Sequence, residues 1–95
     1  MFTHVVLFKL NDRTLENARQ LQAKLLSMTG KIPQIKHMEA GVNVVSSDRA
    51  YDVALFQRFD SLADMQAYQQ HPAHLEVLAY IKSVIAGSVA VDYES

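Results

Sequence analysis

Polar and apolar residues follow two periods along this chain, about two and about 3.6, and the switches between them mark its elements. Thr3 to Leu10 is β-branched and aromatic, and nearly continuously apolar from Val5 to Phe8. Such a run predicts a strand buried on both faces. His4, Val6 and Phe8 share one face; Thr3, Val5 and Leu7 share the other. Asn11-Asp12 then offers a helix cap. Leu15, Ala18, Leu21, Leu25 and Met28 follow at helical spacing, with Arg13, Glu16, Gln20 and Lys24 elsewhere on the surface. Gly30 closes this helix, and Pro33 prevents its return.

Ile35 to Val45 predicts a second strand, with Met38, Ala40, Val42 and Val44 on one face. Gly41 within it suggests a bulge or a close backbone approach. Ser46 to Arg49 is a polar turn. Tyr51 to Phe59 predicts a third strand, paired with the second as a hairpin, with Tyr51, Val53, Leu55, Gln57 and Phe59 on one face. Asp60-Ser61 caps a short helix carrying Leu62, Met65 and Tyr68. Pro72 interrupts it and suits the first turn of a new helix. That segment carries His74, Val77, Leu78, Ile81, Val84 and Ile85, and Gly87 is expected to end it. Ser88 to Tyr93 is the last strand.

The order strand, helix, strand, strand, helix, strand predicts an α+β fold, a ferredoxin-like βαββαβ sandwich with a four-stranded antiparallel sheet. Its helices can cover only one sheet face. The other would expose Thr3, Val5, Leu7 and their neighbours as an apolar patch. Composition bears on this. The 95 residues make one domain, residues 1–95, and 49% of them are hydrophobic against 20% charged. For so small a body that is a surplus, and a face-to-face homodimer would bury it.

Charge and residue types remove several classes. Nine basic and ten acidic residues leave a net charge of −1, so there is no basic excess for a nucleic-acid partner. Cysteine is absent, which excludes disulfides, thiolate metal sites and a cysteine nucleophile. No apolar run approaches the ~18–20 residues of a membrane span. Met1 to His4 lacks the features of a signal peptide. A soluble cytoplasmic protein without membrane partners is expected.

The densest polar constellation is Tyr68-Gln69-Gln70-His71-Pro72-Ala73-His74. Histidine titrates near neutrality and suits proton transfer. Spacing puts Tyr68 on the stripe of Leu62 and Met65, and His74 on that of Val77 and Ile81, so both point inward. If the face of His4 meets the helices, then His4, Tyr68 and His74 converge between sheet and helices. Each residue also has a purely structural interpretation: His71 as a helix cap, His74 as a satisfied core histidine, Tyr68 as packing, His4 as a pocket rim. His37 stands alone, with no function expected. His71-x-x-His74 raises a metal site, but Pro72 lies between and no third ligand is attached, so no metal or cofactor is expected. No Gly-x-Ser-x-Gly elbow and no phosphate-cradling glycine loop is present.

Taken together, several segments carry a resemblance. These are His4 to Lys9, Ile32-Pro33, Gly41 to Val44, Phe59-Asp60-Ser61, Val91-Asp92-Tyr93 and, most sharply, Tyr68-x-x-His71-Pro72-x-His74. The chain resembles the stress-responsive dimeric α/β-barrel domain family over nearly its whole length. The resemblance implies a ferredoxin-like protomer whose sheet packs against a second copy to form a barrel. It implies no single activity. One relative, the plant polyketide cyclase olivetolic acid cyclase, shares the His-Pro-Ala-His run. There the histidine matching His74 is the general base of an aldol condensation, the tyrosine matching Tyr68 assists, and the position matching His4 lines the pocket. A further histidine on its third strand is Val53 here.

The resulting expectation is a homodimer with a small-molecule pocket between sheet and helices. His74 and Tyr68 are the candidate catalytic pair for cyclase- or lyase-like acid–base chemistry, without cofactor. His4, His71, Val6, Phe8, Leu55, Val77 and Leu78 are the candidate pocket residues. The alternative is a non-catalytic dimeric stress or ligand-binding protein. An oxygen-using monooxygenase of the wider barrel group ranks last, since nothing specifies a haem or flavin.

Overall fold

A computed structural model describes residues 1–95. The elements in chain order are β1 (Phe2–Leu10), α1 (Leu15–Leu26), β2 (His37–Val42), β3 (Val53–Phe59), α2 (Leu62–Gln70), α3 (Pro72–Val84) and β4 (Ile85–Glu94). The strands form one sheet in the order β2-β3-β1-β4. Every neighbouring pair is antiparallel. This is the ferredoxin-like arrangement, with its second helix divided at Pro72.

Register decides which residues meet the helices. In β1, His4, Val6 and Phe8 lie opposite Gln57, Leu55 and Val53 of β3, and opposite Asp92, Ala90 and Ser88 of β4. This inner face packs on Ala18, Leu21 and Leu25 of α1, Met65 and Tyr68 of α2, and Val77 and Ile81 of α3, all buried. The outer face alternates with it and carries Val5, Leu7, Phe56, Val89, Val91 and Tyr93. Leu7, Val89, Val91 and Tyr93 remain exposed, Val91 at 61%.

Several boundaries differ from the expected ones. Thr14, not Asn11-Asp12, caps α1: its Oγ1 accepts from the Asn17 amide at 3.1 Å. Leu15 and Leu62, placed on the inward stripes, are exposed. After α1 the chain turns through Gly30 at φ +78°, a conformation that favours glycine. β2 ends at Val42, not Val45. The Asn43 side-chain amide donates to the Val45 carbonyl at 2.9 Å, a local bond that competes with the ladder. Val44 therefore stands outside the strand, 92% exposed, and does not continue the face of Met38, Ala40 and Val42. Gly41 makes no bulge. The β2–β3 register is unbroken, nothing approaches within 4 Å of a Cβ built there, and the sheet's irregularity falls between Lys9 and Leu10.

The carboxylate of Asp52 stands just ahead of β3, where Tyr51 and Asp52 were expected in the strand. It takes the Leu10 amide at 2.8 Å and pairs with Arg13 at 3.1 Å. At the other end of the molecule, Gly87 does not stop α3. Ile85 is already extended (φ −98°, ψ 145°), and the Asn11 amide captures the Val84 carbonyl at 2.9 Å. Helix thus passes into strand without a loop, and Gly87 lies within β4.

Candidate functional site

The two helices meet at Pro72, which lacks an amide hydrogen and so suits a helix's first turn. His71 precedes it in an extended conformation, and its Nδ1 accepts from the Ala73 amide at 3.0 Å. That bond fixes where α3 begins and hence where His74, one turn in, projects. His74 Nδ1 lies 3.1 Å from the Gln69 carbonyl. A carbonyl only accepts, so Nδ1 carries the proton and Nε2 bears the lone pair.

Tyr68, in the last turn of α2, is buried. Its ring lies 4.4 Å from that of His74, 5.2 Å from Phe59 and 6.4 Å from His4, centroid to centroid. Burial pushes its hydroxyl up to about 12, and a hydrogen bond with the Gln57 side chain opposes the rise. The hydroxyl therefore stays protonated at neutral pH. Burial is also the main influence on His74, lowering it below its ordinary value of 6.5. The bond to Gln69 opposes this, and the charge His4 can carry lowers it further. His74 is consequently neutral at neutral pH.

His4 is nearly buried on β1. Its Nδ1 bonds the Asp92 carboxylate, directly opposite on β4. A carboxylate only accepts, so this ring too keeps its proton on Nδ1 and leaves Nε2 without a protein partner. Between these groups and the end of α3 runs a cleft of about 440 Å³. It is lined by His4, Val6, Phe8, Leu55, Tyr68, Gln69, His74, Leu78, Ile81, Lys82, Ile85, Ser88 and Ala90. Small-molecule sites span about 300–1,000 Å³.

The structure thus brings His4, Val6, Phe8, Leu55, Tyr68, His74 and Leu78 to one cleft. Two expected lining residues stand elsewhere. His71 is spent on the cap of α3. Val77 faces the other way, buried beside a separate hollow of about 470 Å³ between α1 and α3. Val53 is buried in the core. His37 lies on the outer face of the edge strand, 3.5 Å from Glu39.

Two polar residues of the site went unrecognised. Asp92 gives no sign of its role until strand register sets it against His4. Gln57 is fully buried, donates to Met38 Sδ at 3.4 Å and leaves its Oε1 unpartnered. A polar residue amid the apolar alternation of β3 was its only signal. No group of three or more acidic or histidine side chains gathers as a metal site.

The sequence model of the stress responsive A/B barrel domain matches residues 2–95. The chain belongs to this family. An uncharacterised protein of Streptomyces coelicolor is 31% identical over 97 residues, covering 99% of both chains. Among solved structures, a dimeric ferredoxin-like protein of unknown function from Thermobifida fusca is 30% identical. It superposes with a TM-score of 0.86 over 99% of this chain and 90% of its own. A hydroxynitrile lyase from Passiflora edulis shares the fold at 21% identity, with a TM-score of 0.82 over 97% of this chain and 90% of its own. No helix of this A/B barrel chain is long and apolar enough to cross a membrane.

Proposed function

We propose that this A/B barrel protein is a homodimer whose cleft binds a small carbonyl compound and moves a proton on it. One observation carries the chemistry. A neutral imidazole with a free Nε2 and a tyrosine held protonated stand ring to ring at one end of an apolar cleft. His74 Nε2 takes a proton from the carbon beside the carbonyl. The Tyr68 hydroxyl donates to the carbonyl oxygen as negative charge develops there. His4, held by Asp92, is a second donor or acceptor at the same end. These steps are common to cyclase-like and lyase-like reactions. The lyase from Passiflora edulis shares the fold, and at its level of identity the likeness extends no further.

Homodimerisation is proposed from the exposed outer face. Leu7, Val89, Val91 and Tyr93 would leave water against the same face of a second copy, and the Thermobifida fusca relative is dimeric. Val53 favours a second reading, ligand binding without turnover, because olivetolic acid cyclase has a histidine at the matching position.

Exchange of carbon-bound hydrogen separates the two. In D₂O, the protein should accelerate deuterium incorporation beside the carbonyl of a methyl ketone such as 2-octanone, followed by NMR. His74→Ala should slow this by about 10²–10⁴-fold. Binding of the ketone with exchange no faster than in buffer would leave the non-catalytic reading in its place.

A further inference from the structure

We propose that the cleft selects an oxo-acid: a carbonyl compound whose carboxylate is held by Lys82 and Ser88 at the end away from Tyr68 and His74. This rests on the reading of the cleft as a small-molecule site and adds the class of molecule.

Two independent walls give the cleft the same length. On the sheet wall, β1 runs from His4 to Phe8, with Asp92 and Ser88 opposite them on β4. Four strand residues span roughly 13 Å. On the helix wall, α3 runs from His74 to Lys82, and eight helical residues span roughly 12 Å. Tyr68, His74 and His4 thus share one end, while Lys82 and Ser88 share the other. Val6, Leu55 and Leu78 make the stretch between apolar.

The far end is set up for an anion. Lys82 is the one lining residue with a permanent charge, and no carboxylate lines the cleft. Lys82 takes part in none of the protein's ion pairs. The Ser88 side chain, on the strand beside it, has no hydrogen-bond partner in the protein. Both residues are exposed, so a ligand can reach their donors from solvent. A helical side chain leans toward the helix N-terminus, which carries the Lys82 ammonium back toward His74. The ligand's carbonyl and carboxylate should accordingly lie roughly 6–10 Å apart, joined by an apolar spacer.

Two probes with one skeleton test this: 7-oxooctanoate and 2-octanone, titrated into the whole protein with the His74 ring signals followed by NMR. 7-oxooctanoate should bind about tenfold more tightly or better, as expected for a hydrogen bond to a charged group, and added salt should shrink the advantage. Lys82→Met should bring the two affinities within about twofold of each other, while Lys82→Arg keeps the preference. Equal affinities in the wild type, or a preference that survives Lys82→Met, would overturn the anion site while leaving the cleft intact. If neither compound moves the His74 signals, the small-molecule reading itself falls and this inference with it.

Discussion

The rings of Tyr68 and His74 lie 4.4 Å apart and tilted by 50°, across the break between α2 and α3. They belong to different helices, so their relation is set by the junction and not by one helical repeat. Pro72 and the His71 cap define that junction, and the bond from His74 Nδ1 to the Gln69 carbonyl crosses it. The last turn of α2 thereby orients the first turn of α3, and the site is organised before any ligand arrives.

The depressed His74 makes stability depend on pH. Its folded value lies below the unfolded 6.5, so the unfolded chain binds more protons between the two. Its contribution is complete above pH 6.5 and is lost as pH falls from 6.5 through the folded value. His74→Asn should flatten that part of the acid limb in urea unfolding across pH 7 to 5. In the exchange assay, wild-type activity should begin to fall only at a pH below 6.5, because burial holds the His74 imidazole neutral past its ordinary value. An activity that halves at or above pH 6.5 would contradict the buried-base assignment.

Tyr68 has the opposite window. Its folded value of about 12 exceeds the ordinary 10, so its contribution is complete below pH 10 and is lost as pH rises toward 12. Tyr68→Phe should unfold at higher pH than wild type in an alkaline titration. At pH 7 it should slow ketone exchange by about 10²-fold, the scale of losing one donor to a developing oxyanion. Unchanged exchange would remove Tyr68 from the chemistry and leave it as packing against Phe59.

Gln57 sets stability against function. Its buried Oε1 is unpartnered, and an orphaned polar atom costs about 1–3 kcal/mol. Gln57→Leu removes that atom together with the polar side chain that opposes the rise in the Tyr68 hydroxyl. We expect chemical denaturation to show stability unchanged or raised, by about 1 kcal/mol, with exchange slowed. A variant both less stable and fully active would show that the amide serves only the core.

Much of this arrangement was legible because it is local. Period placed β1, α1, α2, α3 and β4 near their true positions, the Ser61 cap marked the start of α2, and the proline marked the helix junction. The side of β1 that carries His4 followed from alternation alone. What escaped depends on partners distant in sequence. Asp92 becomes part of the site only when β4 pairs with β1 in one register, a relation across 88 residues. Val77 and Leu78 are adjacent and both apolar, so spacing could not say that one enters the core beside α1 and the other the cleft. His71 could cap or bind, and the geometry of α3 spends it on the cap. The early end of α3 was set by the Asn11 amide, far away in the chain.

The outer sheet face carries the remaining prediction. Val91 is 61% exposed and lies opposite Val5 in register. A lysine there would bring a charge into the proposed contact, and leaving it unpaired is costly. Val91→Lys should convert a two-chain species to one chain by sedimentation at micromolar concentration. It should also abolish the rise of melting temperature with protein concentration expected of a dimer. The consequence reaches the cleft, because successive strand residues face opposite sides. Val91 lies between Ala90 and Asp92, and Val5 between His4 and Val6. A dimer that stiffens the outer residues also holds His4 against Asp92, so the monomeric variant should bind 2-octanone more weakly with its cleft residues unaltered. A wild-type chain that sediments as a monomer at micromolar concentration would end the dimer proposal, and with it the explanation for so much exposed valine and leucine.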